Sequence, residues 1–184
     1  MKALALIIGV LLLLLPSLVQ GKIRGELELL LYLPFDENAG KVVEDKSDTK
    51  ANGELDGNWK RVDGQIGKAV YFLHNPGPEG LVQTKKNPAF AFEGEAEITL
   101  MAWINVDPAH VGQQLLGTRA IIYNRPQGDQ ANYGLRMDRV DPAFFYRDKE
   151  DKDFHRVTGI WDAIPLDKWT HIAATTTFGN PDSM

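Results

Sequence analysis

Short runs of alternating apolar and polar residues recur along the chain after residue 21, separated by clusters of Gly, Pro, Asn and Asp. Alternation with a period of two places successive side chains on opposite faces of a strand. The clearest run covers residues 98–106, and its apolar side chains share one face: Ile98, Leu100, Ala102, Ile104 and Val106. The other face is also largely apolar, so this strand is predicted to pack centrally. Trp103 and Trp169 are predicted to lie in the core.

Other segments show the same pattern. Residues 27–35 place every odd-numbered apolar side chain on one face, and Pro34 indicates that this strand ends there or lies at a sheet edge. Further strands are predicted near Leu55 and at residues 68–72, 81–84, 120–124, 133–137, 143–146, 156–159 and 169–177. No segment after Gly21 sustains helical periodicity over three turns. The pattern therefore predicts an all-β sandwich or barrel.

The first 21 residues have the pattern of a signal peptide. Lys2 supplies a positive charge, residues 3–15 are an unbroken apolar run, and Pro16 breaks any helix. The run is about the length of a signal-peptide core and is short for a membrane span. Cleavage is predicted after Gly21, leaving residues 22–184 as a secreted or cell-surface domain without a membrane span. The alternative is an uncleaved N-terminal anchor.

Composition narrows the class of protein. The formal net charge is −5, and an acidic chain gives no reason to expect a nucleic-acid partner, whose binding needs a basic face. The chain contains no cysteine, which is informative for an exported protein. Stability is therefore expected to come from packing, with or without a bound cation, rather than from disulfides.

Five segments, in order along the chain, resemble the bacterial laminin-G-like jelly-roll domain of the concanavalin A-like lectin and glucanase superfamily. They are Leu-Pro-Phe-Asp-Glu at residues 33–37, Asp-x-Ser at 45–47 with Gly-x-Leu at 53–55, Gly-Lys-Ala-hydrophobic-x-Phe at 67–72, Ala-Trp at 102–103, and Trp-x-His-hydrophobic-Ala at 169–173. The resemblance implies an antiparallel two-sheet jelly-roll β-sandwich over residues 22–184. It indicates fold more strongly than function, because one fold hosts many activities.

The sequence departs from the family pattern in three places. Residues 73–78 lack the usual Asp-Gly turn, and residues 175–179 lack the aspartate that usually follows the last matched strand. The family's closing strands are not recognised before Met184, so we expect a fragment that lacks them. The alternative is a compact variant that closes its sheets differently.

Acidic and amide side chains in the N-terminal turns form a candidate calcium site. Asp36, Asp45 and Asn52 are the predicted ligands, because calcium takes six to eight oxygen ligands from irregular loops. Jelly rolls of the resembled superfamily often hold calcium at the rim, whereas the missing aspartates count against it here. The alternative is that these side chains cap turns by bonding to their own backbone.

Residues 124–133 form the most lectin-like segment, rich in amides and containing one Arg. Sugars stack their C–H faces on aromatic rings while planar polar groups bind the hydroxyls. The predicted ligand-binding residues are Tyr123, Asn124, Arg125, Gln127, Asn132 and Tyr133. The alternative is that the rings belong to the core and the segment is only solvated.

Catalytic arrangements are weakly represented. Glu93, Glu95 and Glu97 alternate before a strand, but glucanases of the resembled superfamily use a Glu-x-Asp-x-x-Glu arrangement, and Gly94 and Ala96 stand between these acids. No histidine pair has metal-ligand spacing. The sequence thus predicts a secreted, non-catalytic module that binds an extracellular glycan or surface protein. A structural spacer of a larger surface protein and a glycoside hydrolase are the alternatives.

Overall fold

The structure is a computed structural model that describes residues 28–73, 80–92, 96–111, 118–124, 133–138, 140–147, 154–159, 164–178, 180 and 183. Its strands are β1 (Val42–Val43), β2 (Gly53–Asp56), β3 (Trp59–Asp63), β4 (Lys68–Phe72), β5 (Leu81–Thr84), β6 (Glu97–Asn105), β7 (Thr118–Asn124), β8 (Tyr133–Asp138), β9 (Asp141–Arg147), β10 (Phe154–Thr158) and β11 (Trp169–Thr177). A 3₁₀ turn (Pro88–Phe90) and one helical turn, α1 (Pro108–Val111), accompany them. The predicted signal peptide lies outside the described residues.

The strands pair antiparallel in several sheets, with the orders β1-β2-β5, β3-β4, β11-β6 and β10-β9-β8-β7. The predicted all-β class is therefore confirmed, and the arrangement is compatible with a β-sandwich. The finer prediction of a two-sheet jelly roll stays a prediction. Within the described ranges, no helix is long and apolar enough to cross a membrane.

One cluster of buried apolar side chains is shared by the sheets. It includes Leu55 of β2, Val70 of β4, Ile104 of β6, Leu135 of β8 and Phe144 of β9. Alternate residues of these strands point the other way, so each sheet has an inner face toward this core and an outer face. The side chains of the inner faces stabilise the fold by packing in this core, and the side chains of the outer faces are available to contact a ligand.

Residues 27–35 do not form the predicted strand. The described part of this segment has no regular secondary structure, although Leu33 and Phe35 are buried as the alternation predicted. The backbone N–H of Tyr32 donates to the Asp45 carboxylate instead of to a neighbouring strand. Pro34 has no N–H to donate, and Phe35 adopts a left-handed φ of 64°, which ends the extended run.

Trp103 and Trp169 also differ from their prediction. Both lie on the outer face of the β11-β6 sheet, where they are partly buried around Ala69 in a small second cluster. The cause is the pairing register, which sets Trp169 opposite Asn105 and places it on the same face as Trp103. They therefore pack outside the main core.

Strand β7 contains a β-bulge. Its register with β8 shifts between Ala120 and Ile122. As a result, both Ile121 and Ile122 pack against the main core, and the next side chain, Tyr123, is exposed. Bulges of this kind re-aim side chains along a strand.

Candidate functional site

The Asp45 carboxylate lies at the centre of the loop before β2 and is fully buried. Its Oδ1 accepts hydrogen bonds from the backbone N–H groups of Tyr32 and Ser47, both at 2.9 Å. Its Oδ2 accepts from the Ser47 hydroxyl, the Thr49 hydroxyl and the Ala51 N–H, each at 2.8 Å. A carboxylate has about four lone-pair sites, so these donors saturate it.

The same contacts set the protonation state of Asp45. Burial alone would raise the pKa of this carboxyl, because desolvation disfavours its charged form. The bonds from the backbone of Tyr32 and Ser47 and from the Thr49 hydroxyl outweigh burial and lower the pKa from 3.8 to about 2. Asp45 is therefore a charged, structural anchor of the loop at neutral pH.

The other two predicted calcium ligands also accept bonds from the backbone. Asn52 Oδ1 accepts from the N–H of Asp45 at 2.9 Å, and Asp36 Oδ1 accepts from the N–H of Lys68 at 2.8 Å. Within the ranges the structure covers, no group of three or more His, Asp or Glu side chains could hold a metal ion. The N–H and O–H groups that surround Asp45 direct hydrogens toward it, whereas a cation needs oxygen lone pairs. This arrangement supports the alternative that these side chains cap turns. Calcium binding stays a prediction.

Two of the predicted ligand-binding residues hold the 3₁₀ turn. The Asn124 Nδ2 and the Tyr133 hydroxyl both donate to the Phe90 carbonyl oxygen, at 2.8 and 3.1 Å. Tyr133 is buried, with its ring centroid 5.3 Å from that of Phe92, and burial raises the pKa of its hydroxyl. The ring of Tyr133 therefore belongs to the core, which was the alternative to a role in ligand binding. The predicted residues Arg125, Gln127 and Asn132 lie outside the described residues.

Among the predicted ligand residues that the structure describes, Tyr123 is the exposed one. It retains 46% of its accessible surface, and its ring centroid lies 5.3 Å from that of Phe145, tilted by 54°. Phe145 is fully buried although it lies on the outer face of the sheet. A Cβ added at Gly134 would come within 2.6 Å of the Phe145 ring, so the glycine lets that ring lie against the sheet. Tyr123 thus has a rigid aromatic base.

Charged side chains continue this surface. The Arg136 guanidinium carbon lies 5.1 Å from the Phe145 ring centroid, a cation–π contact, and its Nε lies 3.2 Å from Asp138 Oδ1. Arg156 donates from Nη2 to the other Asp138 oxygen and from Nε to the Thr158 hydroxyl at 3.0 Å. Asp138 therefore orients two guanidinium groups. We call Tyr123, Arg136, Asp138, Phe145 and Arg156 the outer-face cluster.

No protein-family model and no curated protein sequence matches this chain. The resemblance to laminin-G-like domains therefore rests on its five sequence segments alone, and both the family and its implied jelly roll stay predictions.

Only part of the outer-face cluster can be inferred from the order of residues. Arg136 and Asp138 are two positions apart in a predicted strand, so a shared face follows from alternation. Arg156 joins them because β10 pairs with β9, and that pairing cannot be inferred from residue spacing. The role of Phe145 was also missed, because the bare backbone of Gly134 beneath its ring becomes visible only in three dimensions.

The side chains considered for catalysis are not assembled into a site by the described residues. Glu97 is exposed at the start of β6, and Glu93 and Glu95 lie outside the described residues. His171 is exposed, with its ring centroid 5.2 Å from that of Trp103. The glycoside hydrolase alternative is neither supported nor contradicted by these positions.

Proposed function

We propose that this chain is an extracellular, non-catalytic binding module that recognises carbohydrate, in agreement with the resemblance to a laminin-G-like jelly roll. The observation that carries the proposal is the exposed ring of Tyr123, braced against the buried Phe145 beside oriented charged groups. The signal-peptide pattern of residues 1–21 supports a location outside the cell.

The outer-face cluster has the two components that sugar recognition needs. An aromatic ring that is already ordered offers a flat apolar surface to the C–H face of a sugar, with little further loss of side-chain entropy. Arg136 and Arg156 are held in place by Asp138 and direct N–H groups at fixed positions. Polar groups of this kind orient a ligand and give specificity.

Surface-protein recognition would use the same exposed ring, and a spacer would use neither the ring nor the charges. The proposal commits to carbohydrate because the cluster is a strip of one aromatic ring and planar polar groups rather than a broad apolar patch. Stable protein interfaces usually bury about 800 Å² on each partner around a well-packed apolar centre.

A glycan array tests this proposal directly. The full chain is exported and purified, then compared with the Tyr123→Ala and Ile66→Ala variants, since Ile66 is another exposed apolar residue outside the cluster. We expect binding to at least one glycan class, reduced about tenfold by Tyr123→Ala, which corresponds to about 1.4 kcal/mol of lost binding free energy. Ile66→Ala should bind normally. Absence of any bound glycan would overturn the proposal.

A further inference from the structure

We propose that the outer-face cluster selects a sugar that carries a negative charge, with Arg156 as the residue that pairs with the anionic group. This inference rests on the proposed function and names the ligand class of the same site.

Three residues of the outer-face cluster, together with Gly134, form one row across the sheet. Tyr123 is paired with Gly134, Gly134 with Phe145, and Phe145 with Arg156. Neighbouring strands lie about 4.8 Å apart, so the two ends of the row are separated by roughly 14 Å at the backbone. The exposed ring thus stands at one end of the row, and Arg156 starts at the other end and extends its guanidinium along the sheet to Asp138. The strip between the ring and the guanidinium is longer than one sugar ring. A bound oligosaccharide would cross the strands, stacked on Tyr123 and with its charge toward Arg156.

The charge of this face supports an anionic ligand. By strand alternation, Arg136, Arg147 and Arg156 share the outer face with Asp138 and Asp141. Among the described residues, this face therefore has one more cationic than anionic side chain, although the whole chain has a formal net charge of −5. A locally positive strip on an acidic protein attracts an anionic ligand and directs it to this face.

Arg156 retains the donors that such a ligand needs. Its side chain is 39% exposed, and it bonds to Asp138 through Nη2 and to Thr158 through Nε. Arginine has five N–H donors, and Nη1 of Arg156 has no partner among the described residues. A planar guanidinium held in this way matches the two oxygens of a carboxylate or sulfate.

Asp138 also disfavours a neutral sugar. Lectin-like sites for neutral sugars need acceptors as well as donors for the hydroxyl groups, but both oxygens of Asp138 already contact guanidinium groups. The charged groups of the outer-face cluster therefore offer hydrogen-bond donors in excess of acceptors, and Asp141, the other acid of this face, is buried. Donors in excess favour an anionic group over a hydroxyl, which brings its own hydrogen.

The experiment measures affinity by calorimetry for three probes: trigalacturonate, its methyl ester, and a sulfated galactose trisaccharide. The ester has the same rings as trigalacturonate without the charges, so it isolates the anionic group. We expect at least one anionic probe to bind tenfold or more tightly than the ester, with affinity falling as salt is raised. The stronger of the two anionic probes identifies the carboxylate or the sulfate as the preferred group.

Variants assign this preference to Arg156. Arg156→Gln should remove the preference for the anionic probe and change the affinity for the ester less than twofold. Arg156→Lys keeps the charge without the planar fork and should retain part of the preference. Lys85→Gln removes an exposed positive charge elsewhere and should change nothing. Circular dichroism of each variant verifies that the fold is retained.

The outcomes separate this inference from the proposed function. Equal affinity for the ester and both anionic probes overturns the anionic preference and leaves the carbohydrate module standing. An anionic preference that survives Arg156→Gln overturns the assignment to Arg156. If neither these probes nor any glycan on the array binds, the proposed function fails and this inference fails with it.

Discussion

Asp45 and Asp138 each hold several hydrogen-bond donors, but in opposite surroundings. Asp45 is fully buried, and its donors come from the loop that it organises and from the backbone of Tyr32. Asp138 is 20% exposed at the end of β8, and its partners are two arginine side chains whose own surfaces are 15% and 39% exposed. One carboxylate closes a loop, and the other positions cations at the surface.

The difference shows how burial decides what a carboxylate does. Buried donors that lose their acceptor have no water to replace it, so the Asp45 network contributes to stability and leaves no capacity for a ligand. Partly exposed ion pairs contribute little to stability, because water solvates the separated charges almost as well. The Asp138 pairs are therefore better suited to orienting guanidinium groups than to holding the fold together.

Replacement of Asp45 by Asn should have the largest effect. The amide retains one acceptor oxygen and turns an NH₂ group toward N–H and O–H donors, leaving several of them unsatisfied. We expect the free energy of unfolding to fall by about 3 kcal/mol or more, measured by urea denaturation. Asp48→Asn changes an exposed acid in the same loop and should cost less than about 0.5 kcal/mol. Equal effects of the two variants would contradict the structural role of Asp45.

Acid should weaken the protein through the same residue. The pKa of Asp45 is about 2 in the folded chain and 3.8, the ordinary value, in the unfolded chain. The ionised carboxylate therefore stabilises the fold above pH 4, and this stabilisation is lost as the pH falls toward and through 2. This contribution is about 2 kcal/mol. NMR titration of the Asp45 carboxyl should give a midpoint near pH 2, and a midpoint near 4 would remove this source of acid sensitivity.

Gly134→Ala should disturb the base of the outer-face cluster. The added Cβ would lie 2.6 Å from the Phe145 ring and 3.0 Å from the Ile122 carbonyl oxygen. We expect a loss of about 1–2 kcal/mol in the free energy of unfolding and weaker glycan binding, because Phe145 must move beneath Tyr123. Normal stability and normal affinity would show that the ring does not need its present position.

Asp138→Asn should have the smallest effect on stability, less than about 1 kcal/mol by the same denaturation assay. Its effect should instead appear in binding, because Arg136 and Arg156 lose the charge that orients them. A loss as large as that of Asp45→Asn would mean that this surface cluster stabilises the fold in the same way as the buried loop.

The sequence predicted strands well where hydrophobic alternation dominates. Residues 68–72, 81–84 and 169–177 match β4, β5 and β11. β3 was missed, because Trp59-Lys-Arg-Val-Asp63 carries three charged residues in five and shows no apolar alternation. Residues 27–35 showed alternation, but the described residues 28–35 form no strand, because the Tyr32 N–H and the Leu30 carbonyl oxygen bond to side chains instead of to a neighbouring strand.

The candidate site was harder to predict than the fold. Tyr123 was identified from residue type, and it is exposed; Tyr133 was identified by the same criterion, and it is buried. Residue type does not distinguish them, because their orientation depends on the strand's phase and on what covers each ring. Arg156 lies more than thirty residues from Tyr123 in sequence, and the two align only through three successive strand pairings.

The single extra residue in β7 has a wider consequence for this surface. With strict alternation from Ala120, the Tyr123 side chain would point inward and that of Asn124 outward. The extra residue therefore reverses the face toward which every later side chain of the strand points. Pairing of the same residues without the bulge would therefore conceal the aromatic ring and expose the amide, whereas deletion of Ile121 would remove the extra residue and leave Tyr123 facing outward. Recognition at this face depends on the pairing register of β7 as much as on chemical identity.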